Sequence, residues 1–108
     1  MDTLETLKAI KALIEDSNRW TQKIGARNRK GMHVNAADPK AVCWCVAGAH
    51  LRVTGEYRMS ESAAWQAIES ASSRLFNFHA INVNDIIGHA AVMQVLDAAI
   101  ADAEQAQP

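Results

Sequence analysis

A mainly α-helical fold is what this sequence predicts: about four helices around a central apolar helix, with a short β-hairpin between helices one and two. Three observations lead there. Alanine fills twenty of the 108 positions, and it is the best helix former and a poor strand former. Apolar residues recur at helical spacing near both ends of the chain and in its middle. Residues 19–38 lose that spacing and are rich in the turn formers Gly, Asn and Asp. At this length one domain is expected over 1–108, with its core within about 3–104.

Helix one is predicted from Thr3 to about Asp16. Asp2 is a natural N-cap, with Glu5 three residues on. Leu4, Leu7, Ile10, Leu13 and Ile14 form its apolar stripe. In the next stretch, Ile24–Ala26 and Met32–Val34 are expected to pair as a hairpin across Asn28-Arg29-Lys30-Gly31, with Gly31 at positive φ. Such a ribbon is marginal alone and needs an anchor, for which Trp20 is the candidate.

Helix two is predicted from Asp38 as N-cap and Pro39 as first residue to about Thr54, with Gly55 after it. No charge interrupts Ala41–Ala49, and a helix apolar all round is enclosed on most sides. Gly48 within it points to a close crossing, since Gly costs about 1 kcal/mol relative to Ala in a helix. Helix three is expected from the N-cap Ser60 to about Leu75 or Phe76, with Ala64, Trp65, Ile68, Ala71, Ser72 and Leu75 inward. Residues 77–88 read as irregular, with a short extended piece at Ile81–Val83 and a turn at Asn84-Asp85. Helix four follows from His89 to about Glu104, and Gln105–Pro108 are expected to fray.

Ten Lys/Arg oppose six Asp/Glu in residues 1–58, whereas Arg74 alone opposes six acids in 59–108. The split fits either attraction between the two halves or a basic binding face. The sharpest concentration is Arg19, Lys23, Arg27, Arg29 and Lys30, five cations within twelve residues with no acid among them. Trp20 lies in the same stretch. Such a segment can grip a phosphate backbone, or simply protect a solvated hairpin edge. The overall charge of −1 and the absence of a nucleic-acid-binding signature weigh against nucleic acid.

Cys43 and Cys45 are the other candidates for chemistry. On a helix, residues two apart point roughly 200° apart, so one metal ion cannot take both, and zinc-site spacings are absent. No metal and no cofactor are expected. Cys45 as a thiol nucleophile would need a base, with His89 the candidate and Asn84 or Asp85 to orient it. The predicted mid-helix position offers no helix N-terminus to lower the thiol pKa. Core thiols are the commoner case.

Trp20, Gly25-Ala26, Gly31, Asp38-Pro39, Ala41, Trp44-Cys45, Gly48-Ala49, Asn84-Asp85, Val92 and Leu96-Asp97-Ala98-Ala99-Ile100 occur in this order. In that pattern the chain resembles a family of small bacterial and phage proteins of unknown function. The resemblance spans about Leu4 to Ala103. Two positions depart from it: Val83 stands where an aromatic often precedes the Asn-Asp pair, and His89 where His is unusual. The resemblance implies one domain and a bacterial or phage source, and no activity.

The expectation is therefore a small non-enzymatic module that binds another protein through Arg19, Trp20, Lys23, Arg27, Arg29 and Lys30. The alternatives are a cysteine-dependent enzyme using Cys45 and a nucleic-acid binder using 19–30. No run approaches the ~20 apolar residues of a membrane helix. Met1–Glu5 lacks the basic start of a secretory signal, and two thiols suit a reducing compartment. A cytoplasmic protein without membrane contact is expected.

Overall fold

A computed structural model describes residues 1–107. Helix α1 spans Thr3–Ile14, and the Asp2 carboxylate accepts the Glu5 N–H at 2.8 Å as its N-cap. Leu7, Ile10 and Ile14 are fully buried along its inner face. Strand β1, Ala26–Arg27, pairs antiparallel with β2, Cys43–Trp44. Helix α2 spans Val46–Thr54 and ends on Gly55 in the left-handed conformation. Helix α3 is Ala63–Phe76, α4 is the single turn Ala80–Asn82, and a π-helical turn at Val83–Ile87 leads to α5, His89–Ala106. The protein is thus mainly helical, with a short two-stranded ribbon between its first two helices. Helices α1, α3 and α5 pack on one another, α2 lies along α1, and α4 touches both α2 and α3. Among the described residues, no helix is long and apolar enough to cross a membrane.

The turn predicted at 28–31 forms, but 32–34 meets β1 only through the bridge of His33 to Arg27, beyond the predicted Ile24–Ala26, and the strand paired with β1 is β2. The Asn28 side chain accepts the N–H groups of Lys30 and Met32, both at 3.0 Å, while Gly31 takes φ +78°. The Asn28 N–H donates to Met32 O at 2.9 Å and Val34 N–H to Ala26 O at 3.2 Å. On its other side, β1 binds β2, and Thr21 N–H donates to Trp44 O at 3.0 Å. Four short segments therefore lie side by side: 32–34, 26–27, 43–44 and 20–21.

That sheet takes residues the sequence assigned to helix two. Asp38 caps only a turn, accepting the Lys40 N–H on its side chain and the Ala41 N–H on its carbonyl. Val42 and Cys45 then give their N–H groups to Arg27 O and Gly25 O. Local propensity yields here to tertiary pairing. The extended path seats the Trp44 ring in the core at 3% exposure, its indole N–H on Ala36 O at 3.0 Å. The close crossing expected at Gly48 is present: a Cβ there would lie 1.9 Å from the Gly25 carbonyl oxygen.

Three other boundaries move. The N-cap of α3 is Ser62, whose hydroxyl accepts the Trp65 N–H, while Ser60 lies in a preceding 3-10 turn. Residues 80–87 are helical rather than extended, because Glu69 reaches across to accept the Ala80 N–H at 2.6 Å and starts α4. At the C-terminus α5 continues through Gln105 to Ala106; Pro108, included in the expected fraying, lies outside the described residues.

Candidate functional site

Asn84 is 1% exposed and sits on the π-helical turn. Its Oδ1 accepts the Trp20 indole N–H at 2.7 Å and the Val46 N–H at 3.0 Å. Its Nδ2 donates to Thr21 O at 3.1 Å and to Asp85 Oδ1 at 2.9 Å. Its own carbonyl accepts from Gln22 Nε2 at 3.0 Å. Asp85 Oδ1 also accepts the Lys23 N–H at 2.9 Å, holding that residue at φ +77°. The Asn-Asp pair, read from sequence as a local turn, is a long-range clasp joining the 20–23 segment to the start of α2. Asn84 was missed as its centre because Asx chemistry most often closes on its own backbone.

Cys45 lies beside this clasp. The structure corrects its mid-helix assignment: it is the N-cap of α2, and its Sγ accepts the Gly48 N–H at 3.2 Å. A helix N-terminus favours a thiolate. Burial works against it and is the larger effect. Desolvation pushes the Cys45 thiol above its ordinary value, the N–H groups of Gly48 and Ala47 pull it down less, and the Asp85 charge adds to the rise. At neutral pH the thiol is protonated.

His89 makes no hydrogen bond to Cys45. Its Nε2 donates to the Ile14 carbonyl at 2.7 Å, and its ring meets Trp20 edge-on at 5.3 Å. It terminates α1, with its ring N–H committed there. Asp85 is engaged by Lys23 and Asn84, not by a histidine. Among the described residues, no three His, Cys, Asp or Glu side chains converge as a metal site would require.

The six basic-segment candidates divide into two groups. Trp20 is half-buried and fixed by Asn84. Arg27 is half-buried as well, contrary to a solvated position, and organises its own loop: it donates to Thr21 Oγ1 at 2.8 Å, Gly31 O at 3.1 Å and Gln22 O at 3.2 Å. Arg19, Lys23, Arg29 and Lys30 are exposed. The guanidinium groups of Arg19 and Arg52 lie 5.7 Å and 5.3 Å from the centroid of the Trp44 ring. Between the halves of the chain, Lys11 pairs with Asp97 at 2.7 Å and raises its own pKa by that bond. Arg29 and Lys30 have no such partner among the described residues.

Arg29 and Lys30 border a cleft of about 400 Å³ with Asn28, Met32, Pro39, Lys40 and Val42. Three cations surround an apolar floor, and among the described residues no carboxylate lines it. Met32 is 60% and Val42 39% exposed. Lys40 and Val42 escaped sequence reasoning because they were assigned to helix two. A second cleft, near Glu69 and His79, holds a His–carboxylate contact of 3.0 Å. Its carboxylate is already occupied in starting α4, and the His79 side chain is largely in solvent.

The family model of a family of unknown function, DUF6197, matches residues 1–102. The chain belongs to that family. No curated protein and no solved structure matches it.

Proposed function

We propose that this chain, of bacterial or phage origin as its sequence pattern suggests, is a non-enzymatic interaction module whose basic ribbon grips an acidic segment of another protein. The observation behind this reading is the cleft of Arg29, Lys30 and Lys40 around Met32, Pro39 and Val42. Cations at the rim of an apolar floor suit carboxylates flanking an apolar side chain. Arg19 and Lys23 are exposed on the same chain segment and add to its positive charge. Trp20 and Arg27 serve it indirectly, by holding the ribbon in shape.

A cysteine enzyme has one feature in its favour, the N-cap position of Cys45. Against it stand the buried thiol and the commitment of His89 to Ile14. A nucleic-acid backbone would meet the same cations, but the cleft's apolar floor adds nothing to phosphate binding.

The test uses fluorescent peptides alternating Leu and Asp, the same peptides with Lys for Asp, and a DNA duplex. The acidic peptide is expected to bind best. The Arg29→Glu/Lys30→Glu/Lys40→Glu protein should lose roughly tenfold or more in affinity, since about 1.4 kcal/mol is one decade, while keeping its thermal midpoint. Equal binding of acidic and basic peptides overturns the reading. Tighter binding to the duplex, falling steeply with salt, replaces it with the nucleic-acid alternative.

A further inference from the structure

We infer that the acidic segment is captured as an added β-strand along the open edge Met32–Val34. This inference rests on the reading above and specifies how the ribbon holds its partner.

The ribbon's hydrogen-bond pattern fixes which backbone groups point outward. Arg27 and His33 face each other as an antiparallel bridge, and the bonds beside them run from Asn28 N to Met32 O and from Val34 N to Ala26 O. That makes Arg27 and His33 a non-hydrogen-bonded pair, whose own N–H and C=O groups turn away from each other. Those of Arg27 turn inward, where its carbonyl accepts the Val42 N–H. Those of His33 turn outward and have no partner among the described residues. The opposite edge is closed: Thr21 O is taken by Asn84 Nδ2, and Gln22 binds the Asn84 carbonyl. One edge of the four-segment sheet is therefore covered by the π-helical turn, and the other presents a free donor and acceptor.

Charge selects the occupant. Met32 at this edge lines the basic cleft, whereas His33 lines a neighbouring one of about 280 Å³ with Leu51, Glu56 and Tyr57. Side chains of an added strand alternate between the two faces of a sheet. Residues turned toward Arg29, Lys30 and Lys40 would be acidic or apolar, and those between them, turned toward Glu56, would be uncharged. Backbone bonds supply the attachment and the alternating pockets the specificity.

The test compares three versions of one peptide of alternating Asp/Leu and Thr residues: unmodified, N-methylated at alternate residues, and N-methylated at the intervening ones. Methylation removes backbone N–H groups from one edge of the peptide while leaving every protein residue native. One methylated version should bind roughly tenfold more weakly than the parent and the other nearly as well. The His33 amide should gain hydrogen-exchange protection in the parent complex. If both methylated peptides bind like the parent and the His33 amide exchanges unchanged, strand addition is refuted while acidic docking stands. If the acidic peptide does not bind in any version, the proposed function fails and this inference with it.

Discussion

Replacing Asn84 by Ala removes four side-chain hydrogen bonds and leaves several of their partners stranded. The Val46 N–H at the start of α2 and the Trp20 indole N–H each lose their acceptor, and Thr21 O loses its donor. A buried polar group left unpaired costs about 1–3 kcal/mol. Two such groups, the Val46 N–H and the Trp20 indole N–H, set the loss at roughly 2–6 kcal/mol, a large part of the ~5–15 kcal/mol that stabilises a typical domain. For a domain of this size 1 kcal/mol lowers Tm by about 4–8 °C, so the loss corresponds to a fall of at least about 8 °C. Urea denaturation followed by Trp fluorescence and by far-UV circular dichroism measures it. Asn84→Asp is the informative companion. It keeps both acceptor contacts of Oδ1, loses the Nδ2 donations, and puts a second carboxylate beside Asp85. It too should destabilise, with its largest loss at neutral pH and part of the loss recovered as the pair is protonated. An Asn84→Ala protein within about 1 kcal/mol of the parent would show that the clasp is not a structural centre.

Four further outcomes follow from the geometry. Trp44→Ala should cost about 3–5 kcal/mol, since the ring is core and its N–H holds Ala36 O; an unchanged denaturation midpoint would refute this. Gly48→Ala should cost at least about 1–3 kcal/mol by overpacking, because Gly25 backbone occupies the space of the new methyl; a neutral thermal shift would contradict that crossing. His50 is fully buried, with Nε2 at 2.7 Å from Ser62 Oγ, and burial lowers its pKa, with Glu56 opposing weakly. The unfolded chain therefore takes up the proton first. Stability should be full above the unfolded value of about 6.5 and decline as pH falls below it, and a His50→Gln protein with the same acid slope would exclude this residue as the cause. In a Cys43→Ser background, Cys45 should react with iodoacetamide at least roughly tenfold faster in denaturant than in the native state; fast native labelling would restore the nucleophile reading.

Helices α1, α3 and α5 were legible because each carries a one-sided apolar stripe, and Asp2 marked the start of α1 correctly. The ribbon turn was legible through Asn28 and Gly31. What sequence could not disclose was the choice made by Ala41–Cys45. A short uncharged run, buried at Ala41, Trp44 and Cys45, satisfies a core helix and a strand equally, and its partners Gly25 and Arg27 lie far back in the chain. The same blindness displaced the site. Once Lys40 and Val42 were placed in a helix, they were not seen beside Arg29 and Met32. Arg27 looked like any surface cation, because its three acceptors, two of them backbone carbonyls, have no signature in sequence.

The clasp has a consequence for how quickly the protein opens. Its bonds join residues 62 to 64 positions apart, from the 20–23 segment to Asn84 and Asp85. Closing so long a loop costs about 3–4 kcal/mol of chain entropy before any contact is gained, and contacts of that separation slow folding. The helices, whose bonds are local, can form earlier on the way to the native state. Interactions that form after the folding barrier act on the unfolding rate alone. The Asn84 network is then a latch in time as well as in space: weakening it should leave refolding nearly as fast as before and shorten the lifetime of the folded state.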